Sequence, residues 1–197
     1  LSLKLDNFLK KDLGISEAKS LLMDHDVDQY VDLLSGSFSE VDMMTLYRMH
    51  DAYVTATRGE GWGLPITEAA ACGLPLVTPC HTGLTEFLNP LNGLYWKVKS
   101  APEAFSNHLL YKAWCDQDTG NEDFWQVCSI ESLAEAMIQV VDEHQTGEAD
   151  RKAMLASQIV RQQFSWQVAG SLAMQALTDN PLSRVTASSN LASHIIS

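Results

Sequence analysis

Apolar residues in the first 25 positions fall at Leu5, Phe8, Leu9, Leu13, Leu21 and Leu22, a helical spacing that Gly14 is expected to interrupt. Tyr30-Val31-Asp32-Leu33-Leu34 is the first run with strand character, and Ser35-Gly36-Ser37 ends it. Ser39 then stands before Glu40-Val41-Asp42, an N-cap followed by acidic first-turn residues. Val41, Met44, Leu46 and Tyr47 carry that helix to about Met49, and Ala52 to Thr57 reads as the next strand.

The unit then repeats. Pro65 suits the first position of a helix running through Glu68-Ala69-Ala70-Ala71-Cys72, and Gly73 ends it. Leu74 to Thr78 is a strand, Leu84 to Leu88 a short helix, Asn89-Pro90-Leu91-Asn92-Gly93 a turn, and Leu94 to Val98 another strand. Strands separated by single helices pair in parallel through right-handed crossovers, so the pattern predicts an open α/β sheet. Beyond residue 100 the strands are expected to cease. Residues 101–128 read as an irregular insertion rich in aromatic and acidic residues. Ser129 caps a helix with apolar positions at Leu133, Ala136, Met137, Val140 and Val141, and helices over about Asp150 to Gln163 and Trp166 to Leu177 follow. The Ser-rich stretch 180–197 reads as a tail.

Composition narrows the function classes. A chain of 197 residues that is 46% hydrophobic supports one compact core and is too short for two full nucleotide-binding α/β domains. Thirteen Lys and Arg against 25 Asp and Glu give a net charge of −12, which opposes phosphate neutralisation and argues against nucleic acid or an anionic membrane surface as partner. A small phosphorylated ligand stays open, because a helix N-terminus and backbone amides bind phosphate with few cations. Cys72, Cys80, Cys115 and Cys128 show no C-x-x-C spacing and read as reduced thiols of a cytoplasmic protein. No apolar run approaches the roughly 20 residues of a membrane span, and the opening residues lack the pattern of a secretory leader. The chain starts without Met, which fits a fragment whose beginning lies upstream.

The chemistry concentrates in Arg58-Gly59-Glu60-Gly61-Trp62-Gly63-Leu64-Pro65-Ile66-Thr67-Glu68, a glycine-rich turn from a strand into a helix. In an open parallel sheet that is the carboxyl end of a strand, where ligands bind. Gly59, Gly61 and Gly63 leave room for a ligand against the backbone, and the first helical turn offers unpaired N–H groups and a partial positive charge, a combination suited to a diphosphate. Glu60 lies in the turn and Glu68 one turn inside a helix of small residues. A carboxylate packed there needs a hydrogen-bond donor, such as a sugar diol, unless Glu68 occupies an exposed edge of the helix.

Glu60 and Glu68 are separated by seven residues within EGWGLPITEAAACGLP, which resembles the E-x7-E signature of retaining GT-B glycosyltransferases of the group 1 (GT4-like) family. Phe38-Ser39, Leu46-Tyr47 and His50-Asp51-Ala52 resemble the helix and strand before that signature, and Gly83 with Glu86-Phe87 the loop after it. The resemblance covers residues 30–98, and more loosely the helices from Ser129 to Leu177 with Phe164-Ser165-Trp166. It implies the C-terminal, donor-binding half of a GT-B fold: a Rossmann-like parallel sheet with a helical C-terminal segment. It divides the chain into an incomplete N-terminal part of that domain (1–29), the nucleotide-sugar-binding core (30–100), the insertion (101–128), the helices (129–179) and the tail.

The resemblance further implies that Glu60 is the catalytic carboxylate, electrostatic rather than nucleophilic, beside the hydroxyls of the transferred sugar. The backbone of Gly61, Trp62, Gly63 and Leu64 meets sugar hydroxyls and diphosphate, and Glu68 takes the ribose hydroxyls of a nucleoside-diphosphate sugar. No metal or other cofactor is implied. The acceptor, whether glycan, lipid or protein, is left unidentified. The family's N-terminal Rossmann domain and the strands that carry its diphosphate-clamping Arg and Lys are not represented, so Lys4, Lys10, Lys11 and Lys19 receive no such role. Arg58 is the one cation beside the loop and stands as a candidate phosphate contact. The expectation is a transferase when the chain is complete and no transfer by this part alone, with self-association through an apolar edge near residues 1–30. The competing readings are a non-catalytic nucleotide-sugar-binding module and a GT-B epimerase or phosphorylase. Cys80 and His81 adjoin but lack a second metal-ligand pair. Tyr111, Trp114 and Trp125 suit core packing better than sugar stacking.

Overall fold

Residues 2–5 with 32–35, 53–54 with 76–77, and 77–79 with 96–98 form parallel ladders, whereas the runs at 32–35 and 53–54, although also separated by one helix, belong to different ladders. The computed structural model describes residues 1–5, 13–104 and 124–179, in two compact units that divide between Leu46 and Tyr47.

In the first unit β1 (Ser2–Leu5) runs parallel to β2 (Asp32–Ser35), in register from Ser2 opposite Asp32 to Leu5 opposite Ser35. The helix α1 (Leu13–Asp24) and a 3-10 turn at Asp28–Tyr30 join them. Two expectations are corrected here. Residues 2–5 form a strand rather than the start of a helix, because Ser2-Leu3-Lys4-Leu5 alternates polar and apolar and finds a ladder partner 30 residues on. Gly14 is the second residue of α1 and does not interrupt it, since the helical period through Leu21 and Leu22 begins after it. The helix α2 (Glu40–Arg48) is capped as expected: Ser39 Oγ accepts from the Asp42 amide at 3.2 Å, while the Ser39 amide and hydroxyl donate to Asp42 Oδ2 at 3.0 and 2.6 Å. Those Ser39 bonds hold the Asp42 carboxyl below its ordinary range.

The second unit is built on a parallel sheet in the order β3 (Tyr53–Val54), β4 (Leu76–Pro79), β5 (Trp96–Val98). The crossovers contain α3 (Leu64–Ala71), then α4 (Leu84–Leu88) with a 3-10 turn at Asn89–Leu91. Every residue of β4 is buried, as expected of a central parallel strand covered on both faces. The first of these strands is shorter than the run Ala52 to Thr57: Thr55 N–H still reaches the Val77 carbonyl at 2.9 Å, but the Arg58 carbonyl accepts instead from Gln126 at 2.9 Å. The chain has by then left the sheet for the glycine turn. At its other end α3 stops as its sequence predicts, with Gly73 at φ +85°, Gly73 N–H on the Ala70 carbonyl and Leu74 N–H on that of Ala69.

Strands do not cease at residue 100. Ser100–Ala104 (β6) and Phe124–Cys128 (β7) pair antiparallel, Ser100 opposite Cys128 and Ala104 opposite Phe124, so both ends of the expected irregular insertion are regular. Neither run announces itself by period: Ser100-Ala101-Pro102-Glu103-Ala104 is poor in β-formers, and its stability as a strand comes from the cross-strand partner. Tyr111, Trp114 and Cys115 lie outside the described residues, as do Lys10, Lys11 and the tail 180–197.

Three helices follow, α5 (Ile130–Gln145), α6 (Glu148–Gln163) and α7 (Trp166–Asp179). Ser129 Oγ accepts from Ser132 N–H at 3.1 Å and caps α5. Ala136 and Val140 of α5 and Ala149 of α6 pack with Val77, Trp96 and Val98 in one apolar cluster. Lys152 bridges the two helices, 2.7 Å from Glu143 Oε2 and over the Trp96 ring at 5.0 Å. Ser157 Oγ and the Arg161 guanidinium converge on the Ala71 carbonyl at 2.6 to 2.9 Å, supplying donors and a cation where α3 leaves its last carbonyls unpaired. The α7 helix buries no residue, and Trp166, Leu172, Met174 and Leu177 are exposed.

Candidate functional site

The glycine turn occupies residues 58–63, between the carboxyl end of β3 and the first turn of α3. Its local form follows from short-range chemistry. The Thr57 hydroxyl donates to the Gly59 carbonyl at 3.1 Å, and Gly63 takes φ +81° and ψ 53° to start α3. A Cβ at Gly63 would meet Leu84 Cδ2 at 2.5 Å, so both backbone angle and space demand glycine there. At Gly59 and Gly61 an added Cβ would meet open space, so nothing within the described chain requires glycine at those two positions.

The loop after β4 lies against this turn. Glu60 N–H donates to Thr82 Oγ1 at 3.0 Å, and Gly83 N–H donates to the Glu60 carbonyl at 3.0 Å. The approach is so close that a Cβ on Gly83 would lie 1.8 Å from the Gly61 carbonyl oxygen. Gly83 has φ −62°, so the requirement is for space and not for conformation. Buried His81 places Nε2 3.1 Å from the Thr57 carbonyl and Nδ1 3.3 Å from Thr82 Oγ1. Burial pushes its pKa below the ordinary imidazole value, against the opposing effects of its hydrogen bonds and of the Glu60 charge. One ring nitrogen of His81 thus faces an oxygen of the β4–α4 loop and the other the Thr57 carbonyl after β3. Among the described residues no three His, Cys, Asp or Glu side chains gather as a metal would require, and Cys72, Cys80 and Cys128 are unbridged.

Glu60 is half-buried in the turn and Glu68 is exposed on α3. Glu68 thus takes the exposed-edge alternative rather than a packed position, and buried Tyr47 at the end of α2 donates its phenol to Oε2 at 3.0 Å. Burial and then the Glu68 charge hold the Tyr47 phenol well above its ordinary range. Tyr53 on β3 packs edge-on to Tyr47 at 6.2 Å. Its pKa is raised by burial first, then by the charges of both Glu60 and Glu68. Both carboxylates thus act on the phenol of Tyr53, the first residue of β3. Residues 21–112 match the family model of group 1 glycosyl transferases. The matched span contains the glycine turn, both carboxylates, Tyr47 and the His81–Gly83 loop, and it supports a glycosyltransferase function. No curated protein matches the chain.

Of the remaining residues singled out in the sequence, Trp62 meets Phe164 edge-on at 5.6 Å, and Phe164 in turn meets Phe87, so the Trp62 ring is tied to α4 and to the end of α6 while remaining 38% exposed. Leu64 is exposed at the start of α3. Arg58 is exposed and its guanidinium stacks on the Trp125 ring at 4.2 Å, so Trp125 is packed against a cation. Tyr47, Tyr53, His81 and Thr82 were not predicted as members of the site. Tyr47, His81 and Thr82 acquire their roles only through partners 21 or more residues away, and Tyr53 through Tyr47, Glu60 and Glu68 on neighbouring elements. A shallow depression of about 440 Å³ between β6 and β7, lined by Pro102, Glu103 and Val127 among others, contains no residue of the glycine turn. Among the described residues no helix is long and apolar enough to cross a membrane.

Proposed function

We propose that this chain carries the donor-binding part of a retaining glycosyltransferase that takes a nucleoside-diphosphate sugar. The observation that carries the reading is the placement of Glu60 within a glycine turn, and of Glu68 in the helix that the turn leads into, at the carboxyl end of a parallel strand. In this reading the backbone of Gly61, Trp62, Gly63 and Leu64 takes the diphosphate and sugar hydroxyls. The open space at Gly59 and Gly61 supports a ligand lying against bare backbone. Glu68 accepts from ribose hydroxyls through Oε1 and the remaining lone pair of Oε2, whose other partner is Tyr47. Glu60 acts on the transferred sugar by its charge, stabilising positive charge that develops as the nucleoside diphosphate departs, and the acceptor attacks from the same face. Arg58 reaches phosphate only by leaving the Trp125 ring, so its contribution to affinity is smaller than that of the backbone.

Titration of the 197-residue chain with UDP, GDP and ADP, and with the matching sugar nucleotides, tests this reading. One nucleotide is expected to bind. Glu68→Gln keeps the size of the side chain but removes its charge, and charged hydrogen bonds contribute about 1.5–3 kcal/mol each, so nucleotide affinity should fall roughly tenfold or more. Glu60→Gln should spare the free nucleoside diphosphate and weaken only the sugar-bearing donor. Equal, small effects of both changes on both ligands would show the acidic pair to be surface decoration.

A further inference from the structure

The position of Glu60 is set by the loop between β4 and α4. A carbonyl oxygen can only accept, so a hydrogen bond between His81 and the Thr57 carbonyl requires the proton on Nε2. In the neutral ring Nδ1 is then the acceptor, and the Thr82 hydroxyl faces it at 3.3 Å, with the carbonyl of His81 itself also beside the ring. That hydroxyl, donating to Nδ1, has lone pairs left to accept the Glu60 amide at 3.0 Å. The next residue, Gly83, returns a bond from its own amide to the Glu60 carbonyl. Both backbone polar groups of Glu60 are therefore held by two consecutive residues of the β4–α4 loop. Thr82 adopts φ +49°, a conformation unfavourable for a β-branched residue, which aims its hydroxyl and the Gly83 amide at the same target.

We infer that His81, Thr82 and Gly83 form a positioning latch that fixes the backbone of Glu60, and that the neutral, Nε2-protonated imidazole of His81 orients the Thr82 hydroxyl as the link between them. His81 and Thr82 are positioning residues: they act through Glu60 and touch no ligand. The inference rests on the proposed donor site only for its functional consequence, a selective effect on the sugar-bearing donor. The latch itself is a property of the protein without ligand.

The test therefore has a ligand-free arm and a ligand arm. Long-range proton–nitrogen NMR of the 197-residue chain should show His81 as the Nε2–H tautomer. In Thr82→Val the Glu60 amide loses its acceptor, and its hydrogen exchange should accelerate about tenfold, the scale of one net hydrogen bond, while the amides of Val77 and Thr78 keep their rates. Thr82→Ser should restore protection. In the ligand arm Thr82→Val should weaken the intact sugar nucleotide several-fold more than the nucleoside diphosphate, and Thr82→Ser should bind like the parent. An Nδ1–H tautomer, or Glu60 exchange unchanged by Thr82→Val, would overturn the latch. Lost protection with equal weakening of both ligands would overturn its action through the sugar carboxylate. Lost protection in a chain that binds neither ligand would uphold the latch and count against the proposed function instead.

Discussion

Strands β2 and β4 are the same length, each pairs in parallel, and each is followed within five residues by a helix, yet they are in different physical situations. Leu33 and Leu34 of β2 are half-buried, flanked by the exposed Asp32 and Ser35, and among residues 1–4 and 15–46 none is fully buried. Leu76, Val77, Thr78 and Pro79 of β4 are all buried, and Ala136 and Val140 of α5 pack in one cluster with Val77, while Ile66 of α3 and Leu84 and Phe87 of α4 are buried in the same unit. A parallel strand needs cover on both faces, and the second unit provides it from its own helices. Among its described residues the first unit covers its ladder only in part. Apolar sequence alone does not make a core; the residues that follow in space must bring the second surface.

The largest effect that tests this contrast is truncation. Leu76→Ala or Phe87→Ala should destabilise the second unit by about 2–5 kcal/mol, whereas Leu3→Ala, at a position 38% exposed, should cost less than about 1 kcal/mol. Denaturant unfolding followed by residue-resolved hydrogen exchange would read both. Equal costs would mean that Leu3 is covered in solution, by self-association for instance, and light scattering across a concentration series would then show particle mass rising with concentration.

A smaller effect is expected where the second unit brings its two loops together. Gly83→Ala puts a methyl group 1.8 Å from the Gly61 carbonyl oxygen, so the loops must separate. Forced overpacking of this kind costs about 1–3 kcal/mol. The expected signature is a fall in melting temperature together with loss of protection at the Glu60 and Gly83 amides. Gly61→Ala, whose methyl group would meet open space, should leave the melting temperature within a degree or two and so serves as the internal comparison.

The smallest expected effects are in pH dependence. His81 has its pKa lowered from 6.5 by burial, so between the two values the unfolded chain binds more protons than the folded one, and stability should decline as pH falls below 6.5. Glu143 gives a second window. Burial alone would raise its pKa, but the hydrogen bonds from Lys152 and Gln139 outweigh burial and bring it below 4.5, so the stability present above 4.5 is lost as pH falls through the folded value. In the first unit Asp42 has its pKa lowered from 3.8, so the α2 cap begins to lose stability only as pH falls below 3.8, where the other two windows have already opened. Exchange rates along β4 should therefore respond to acid before those along α2. His81→Asn should remove the first window and leave the second, as denaturant midpoints between pH 7 and 4 would show.

Local signals in the sequence were enough for the order and type of most elements. Ser39 and Ser129 cap the helices they precede, Gly73 closes α3 in the left-handed form, and the apolar runs around Leu33, Val54, Val77 and Val98 became parallel strands. Each of these depends on neighbours within a few residues, which is why pattern sufficed. The glycine turn with Glu60 and Glu68 was legible for the same reason, since the strand, the glycines and the helix start are contiguous. What tertiary structure alone decided are the partners: that Tyr47 meets Glu68, that His81 and Thr82 reach back to residues 57 and 60, that Arg58 stacks on Trp125, and that residues 100–104 find a strand partner at 124–128. Hydrogen bonds and cation–aromatic contacts depend on distances of a few ångströms between segments far apart in the chain, and a linear pattern of apolar and polar residues records which residues are buried without recording which of them meet.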